Sequence, residues 1–244
     1  MIQSIKKYLS DKNIPGDIIL YRDKSHKKKA MCEYLASKIE TDKIICVHSV
    51  GAFGLYTAKA FPNNLVMIFG DPSEEYLSQI RETPNARVSK KGMGNFVKKD
   101  ESHFINQFNE PIIEEYYTAH FVKIMKDVGA VDAFCDCGHS CATLSGAIKS
   151  GMNLCYILGT VKPTGRKYVH YLSDKIGQFT QEYAGNFDTK QIQIDIESMY
   201  PKFGNIFEAT RSISAAMSWL QKNPNKTVLV YVGDSPVFGE DKTI

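Results

Sequence analysis

The strongest constraint on the fold of this chain is an alternation of two kinds of segment. Short apolar, β-rich runs lie at 17–22, 43–48, 65–69, 131–135, 154–158 and 227–232, and segments of helical periodicity lie at 28–39, 55–61, 74–82, 111–128 and 143–149. A strand that is followed by a helix and then another strand pairs most readily in parallel, so the pattern predicts βαβ units and an α/β fold. Sheets of this kind bind ligands at the carboxyl ends of their strands, which directs attention to the residues just after each strand. Two looser stretches, 89–103 and 162–200, are read as lid-like or partner-binding excursions.

Composition narrows the classes of function. The 244 residues are 43% hydrophobic and 23% charged, as in an ordinary globular protein. A net charge of +3 and a pI near 8.4 argue against a dedicated nucleic-acid binder. The one basic run, His26-Lys27-Lys28-Lys29, is too short to track a phosphate backbone alone. No apolar run reaches membrane-spanning length, and the first residues lack the apolar core of a signal peptide. Six scattered cysteines suit a reducing compartment. The expectation is a cytoplasmic protein that engages neither nucleic acid nor membrane.

Three strand exits carry polar residues and glycine. The first reads His48-Ser49-Val50-Gly51-Ala52-Phe53-Gly54, and the second runs from Cys135 through Gly138, His139, Ser140, Cys141 and Ala142 to Thr143. The third reads Gly233-Asp234-Ser235-Pro236. Helix N-termini at such exits offer free N–H groups and a positive dipole end to an anion. If the strands are neighbours, the exits converge on one small-molecule site. The spacing Cys135-x-Cys137-x-His139-x-Cys141 has ligand types that suit zinc, but paired C-x₂-C spacing is absent and no metal is expected. A thiolate near a helix N-terminus is stabilised. Cys137, His139 and Cys141 therefore stand open between chemistry and packing, whereas Cys46 and Cys135 read as small buried residues on core strands.

The order of motifs along the chain resembles the cysteine synthase family of fold-type II, pyridoxal 5'-phosphate (PLP) enzymes. Val131-Asp132-Ala133-Phe134 and Leu144-Ser145-Gly146 flank the second exit at the separation of that family's V-D-x-F strand, phosphate loop and L-S-G. Gln107-Phe108-Asn109-Glu110-Pro111 is similar to its Q-F-x-N-P segment, and Gly51-Ala52-Phe53-Gly54 to its substrate-carboxylate loop. Lys226-Thr227-Val228 with Gly233-Asp234-Ser235 resembles its K-T-V and P-D-S, and Ser212-Ile213-Ser214-Ala215-Ala216 its S-S-G-A-A. Ser25-His26-Lys27-Lys28-Lys29-Ala30 resembles S-x-K-D-R-A, the segment of the Schiff-base lysine.

The resemblance implies mostly parallel sheets flanked by helices in two lobes, 1–42 with 118–244 and 43–117. It implies Lys27 as the catalytic lysine, and Ser140, Cys141, Ala142, Thr143 and Ser235 as PLP contacts. Ser49, Gly51, Ala52 and Gln107 would bind the carboxylate of an amino-acid substrate. The implied reaction is β-replacement or β-elimination on a serine- or cysteine-like amino acid, by a homodimer. The departures cluster at the same places. His139, Cys141 and Ala142 stand where the phosphate loop has glycines, and Ala52 stands for an asparagine that contacts the PLP 3′-oxygen. Those departures support a second expectation, a catalytically degenerate homologue that binds a metabolite or a protein. A cysteine-based redox or metal protein on the same fold is a third.

Overall fold

The structure, a computed structural model, describes residues 1–22, 27–49, 51–90, 99–107, 110–136, 142–159, 179–182 and 187–232. In chain order the first elements are β1 (Ile2–Ser4), α1 (Lys6–Asp11), β2 (Gly16–Arg22), α2 (Lys27–Lys38), β3 (Ile44–His48), α3 (Ala52–Ala60), β4 (Val66–Phe69), α4 (Glu74–Arg81), β5 (Ala86–Ser89) and β6 (Ser102–Ile105). There follow α5 (Pro111–Val128), β7 (Ala133–Asp136), α6 (Ala142–Lys149), β8 (Cys155–Leu158), β9 (Phe179–Gln181), α7 (Thr189–Met199), α8 (Thr210–Lys222) and β10 (Lys226–Val232). The chain divides into two compact units, Met1–Lys24 with Glu114–Ile244, and Ser25–Ile113. The sequence expectation drew its lobes at 42/43 and 117/118. In the structure α2 belongs with the smaller unit, where the Cys32 thiol reaches the Phe53 carbonyl and the Thr57 hydroxyl of α3.

The larger unit holds a six-stranded sheet in the order β1-β2-β10-β7-β8-β9. Only β1 runs antiparallel to its neighbour; the other pairings are parallel. A parallel sheet is covered on both faces, and its central strands are correspondingly apolar throughout. In β10, Val228, Val230 and Val232 face a core shared with α1, α7 and α8, while Leu229 and Tyr231 face a second core under α5 and α6. Successive side chains of a strand point to opposite faces, so one seven-residue run feeds both cores.

Close approach fixes two glycines. Gly16 has φ +140, and a Cβ there would lie 2.7 Å from the Lys226 carbonyl of β10. On α6, a Cβ at Gly146 would lie 2.5 Å from the Tyr117 backbone of α5, so the two helices touch where the side chain is missing. The starts of β7 and β10 are joined by Asp132, which accepts from the Lys226 ammonium at 2.8 Å and from the Thr227 N–H at 2.8 Å.

The smaller unit holds a four-stranded parallel sheet in the order β5-β4-β3-β6. Ser102–Ile105 and Thr189–Met199 are regular elements within or bordering stretches read as loose. The helix at 189–199 opens on Asp188, whose carboxylate accepts from the N–H groups of Lys190 and Gln191, and it buries Ile192 and Ile196 one turn apart. Among the described residues no helix is long and apolar enough to cross a membrane.

Two stability predictions follow from these contacts. The Gly146→Ala variant forces α5 and α6 apart and should lose about 2 kcal/mol in urea unfolding, in the range of overpacked cores. For Asp132 the hydrogen bonds, first that from Lys226, hold its carboxyl below the ordinary carboxylate range. A lowered folded value means that its contribution is complete above the unfolded value and is lost as pH falls through the folded one. The pair is partly exposed, with side chains 51% and 37% accessible, so the contribution is about 1 kcal/mol. Thermal unfolding of Asp132→Asn should therefore fall below that of the parent at neutral pH and converge with it in strong acid.

Candidate active site

The site is built first from strand ends. β2, β10 and β7 are consecutive and parallel, with Arg22 opposite Val232 and Cys135 opposite Val230. Their carboxyl ends therefore lie side by side on one edge of the sheet. Each leads into a segment nominated by the sequence. The chain leaves β2 toward Lys27, which opens α2. It leaves β7 toward Ser140 and Cys141, with Ala142 the first residue of α6. It leaves β10 toward Ser235. Ser140, Cys141 and Ser235 lie outside the described residues, as do Cys137, His139 and the side chain of Lys27.

The expected convergence of three exits is corrected in one member. β3, which precedes Ser49, belongs to the four-stranded sheet, and its neighbours are β4 and β6. The exit of β2 takes its place beside those of β7 and β10. The apolar run of β3 carries no signal of which sheet it joins, because both sheets are parallel and buried.

Thr143 lies in the first turn of α6 and is 1% exposed. Among the described residues its Oγ1 is buried without a hydrogen-bond partner. A buried hydroxyl left unpaired costs about 1–3 kcal/mol. An anion at the N-terminus of α6 would remove that cost and would also meet the positive end of the helix dipole. The phosphate of PLP fits this requirement.

Two charged residues at the same strand ends escaped the sequence reading. Arg22, the last residue of β2, donates to the Asn205 carbonyl and sets its guanidinium 5.1 Å from the centre of the Phe203 ring. Asp136, the last residue of β7, is a carboxylate only 8% exposed. The available signal was a charged residue closing an apolar strand, where the alternation of a plain core strand calls for another apolar one.

In the smaller unit the turn after β3 is held together by Ser49. Its Oγ accepts from the N–H groups of Gly51, at 3.2 Å, and Gly54, at 2.9 Å, and donates to the Gly51 carbonyl at 3.1 Å. Ser49 is buried, and through the Gly54 bond it satisfies one of the free donors in the first turn of α3. Gly51 lies under the Tyr76 ring of α4, whose nearest carbon would be 3.4 Å from a Cβ added there. Ala52 is buried and offers no side-chain donor. Gln107 donates from Nε2 to the His48 carbonyl at 3.3 Å, which ties the end of β6 to the end of β3.

The described thiols are ill suited to nucleophilic chemistry. Burial pushes Cys32 up to about 12, and burial also raises Cys46 and Cys155. A thiol raised in this way carries little thiolate at neutral pH. Cys135 is buried and its thiol contacts the Ser212 carbonyl at 3.3 Å.

No family model matches the chain, and no curated protein matches it in sequence. Solved structures match it in fold. A hydrogen sulfide-producing enzyme from Fusobacterium nucleatum superposes with a TM-score of 0.65 at 16% identity, covering 93% of each chain. Cysteine synthase from Entamoeba histolytica gives 0.67 at 15% identity over 94% of this chain and 85% of that one. A variant of O-ureido-L-serine synthase with O-ureido-L-serine bound gives 0.62 at 11% identity over 94% and 88%. The likeness is one of fold: mixed α/β, with mostly parallel sheets flanked by helices, as the sequence alternation predicted.

Two substitutions separate the roles of these hydroxyls. Ser49→Ala strands the Gly51 and Gly54 N–H groups and should destabilise the protein by about 1–2 kcal/mol in urea unfolding. Thr143→Val should act in the opposite sense, stabilising the ligand-free protein by about 1 kcal/mol because it replaces an unpaired buried hydroxyl by a methyl.

Proposed function

We propose that this chain is a PLP-dependent enzyme of the cysteine synthase type, which replaces or eliminates the β-substituent of a serine- or cysteine-like amino acid. One observation carries the reading: the order β2-β10-β7 brings the exits toward Lys27, Ser235 and the 140–143 segment to adjacent carboxyl ends of one parallel sheet. The partnerless Thr143 hydroxyl supports it, since it asks for an anion at the start of α6. The sequence resemblance and the shared fold of the hydrogen sulfide-producing enzyme and cysteine synthase agree with it.

Each residue has a defined task in this reading. Lys27 would supply the amine that holds the cofactor and would move a proton at the substrate α-carbon. Thr143, with Ser140, Cys141 and the Ala142 amide, would hold the phosphate at the dipole end of α6. Ser235 would pair with the pyridine nitrogen. Ser49 fixes the turn that carries Gly51 and Ala52, Gln107 braces that turn from β6, and the segment would meet the substrate carboxylate. The bound cofactor supplies an electron sink for charge that develops at the α-carbon.

A second reading, a homologue that keeps the scaffold and binds a metabolite or a protein without turnover, is favoured by two specific facts. The Ser49 hydroxyl and the Gly51 N–H are spent on each other, and Ala52 brings no donor to the cofactor ring. Absorption spectroscopy of the purified protein with added PLP decides between them. The enzyme reading predicts a band at the edge of the visible that is absent in Lys27→Ala and weakened in Thr143→Val, together with a spectral change on adding serine or cysteine. A protein that gives no band at saturating PLP contradicts that reading and leaves the binding one.

A further inference from the structure

The smaller unit carries a concave feature beside β5. A cavity of about 390 Å³ lies between α4 and β5, within the range of ligand-sized pockets. Its apolar lining includes Ile80, Ala86 and Val88, and the remaining lining includes Arg81, Arg87 and Lys90, with no acidic side chain among them.

β5 is the edge strand of its sheet. The Asn85 carbonyl accepts from Val66 N–H and the Ser89 carbonyl from Gly70 N–H, so the odd-numbered residues of β5 turn their backbone groups toward β4. The even-numbered ones point away from the sheet. At Ala86 these groups are occupied, the N–H by the Thr83 carbonyl and the carbonyl by the Arg87 guanidinium at 2.7 Å. At Val88 the N–H and the carbonyl have no partner among the described residues, and they open beside the cavity. An exposed edge of this kind is a template for another strand.

Two of the three cations already have carboxylate partners. Arg81 pairs with Glu74 at 3.0 Å and Lys90 with Asp71 at 2.8 Å, and every one of these side chains is at least 65% exposed. Ion pairs this exposed contribute little, so a carboxylate brought in by a ligand can replace the resident one. Arg87 donates Nη1 to the Pro84 and Ala86 carbonyls, which holds its guanidinium at the rim.

We propose that this groove docks an extended acidic peptide segment of a partner protein, which adds as a strand to the edge at Val88. Its alternate aliphatic side chains enter the floor of Ile80, Ala86 and Val88, and its carboxylates meet Arg81, Arg87 and Lys90. Strand addition of this type draws affinity from main-chain bonds and specificity from alternate side chains. Arg87, which no carboxylate pairs among the described residues, selects an acidic segment over a basic one, and the Val88 backbone pair, unpartnered among those residues, selects a peptide over a small anion.

Fluorescence anisotropy of a labelled eight-residue peptide alternating glutamate and valine tests this, with a lysine–valine peptide as control. Binding of the acidic peptide alone is expected, weakened about tenfold or more by Val88→Pro, a loss of at least 1.4 kcal/mol. The proline removes only an N–H that points away from the sheet, and edge strands tolerate it there. Arg81→Gln, at an exposed side chain, should weaken binding as well and leave the thermal unfolding midpoint unchanged, and Arg87→Gln should weaken it further. Equal binding of both peptides, binding by neither, or a Val88→Pro protein that binds as the parent does would each overturn the proposal. So would self-association of the chain that Val88→Pro abolishes while no peptide binds, which would make the edge a contact between two copies. None of these outcomes depends on PLP binding.

Discussion

Everything in the larger unit depends on where β10 sits. It is the last strand of the described chain, yet it pairs with β2 on one side and β7 on the other, at the centre of the sheet. Its register is set at its start, where Gly16 lets the two backbones meet and Asp132 holds Lys226 and Thr227. With the starts fixed and the strands parallel, the ends must also align. The candidate site is therefore a consequence of strand pairing, and the residues that enforce it lie at the opposite edge of the sheet. The same two stretches, Val131–Phe134 and Lys226–Val228, were quoted separately as sequence motifs, and the structure joins them by direct hydrogen bonds.

The parts of the fold that were legible in the sequence are those in which one strand or helix carries its own evidence. The helix Pro111–Val128 and the strands around Leu20, Val47, Ile68, Phe134, Ile157 and Val230 all have enough apolar residues, in the right period, to announce themselves. The edge strands β1, β5, β6 and β9 do not, because each is three or four residues long and half exposed or bordered by charge. The helix at 189–199 had a local signal, an Asp188 cap followed by Ile192 and Ile196, which its polar surroundings obscured.

At the site the division is similar. Residue types and spacing nominated Thr143 and Ser49, but the state of each hydroxyl is a tertiary fact. The Thr143 hydroxyl has no partner among the described residues, whereas that of Ser49 is consumed by a turn of its own. The two outcomes assign the hydroxyls different energetics. An unpaired buried hydroxyl lowers stability, whereas one that satisfies backbone donors raises it. A functional site is where such an unfavourable group is retained, and a scaffold is where it is removed.

We propose that the exits of β2, β7 and β10 form one cofactor site served by Lys27. The most direct measurement is borohydride reduction of the PLP-loaded protein followed by peptide mapping, which leaves the cofactor attached to the lysine that held it. Label confined to the peptide containing Lys27 is the predicted result. Label on a different lysine, or spread over many surface lysines in proportion to their exposure, would contradict the account.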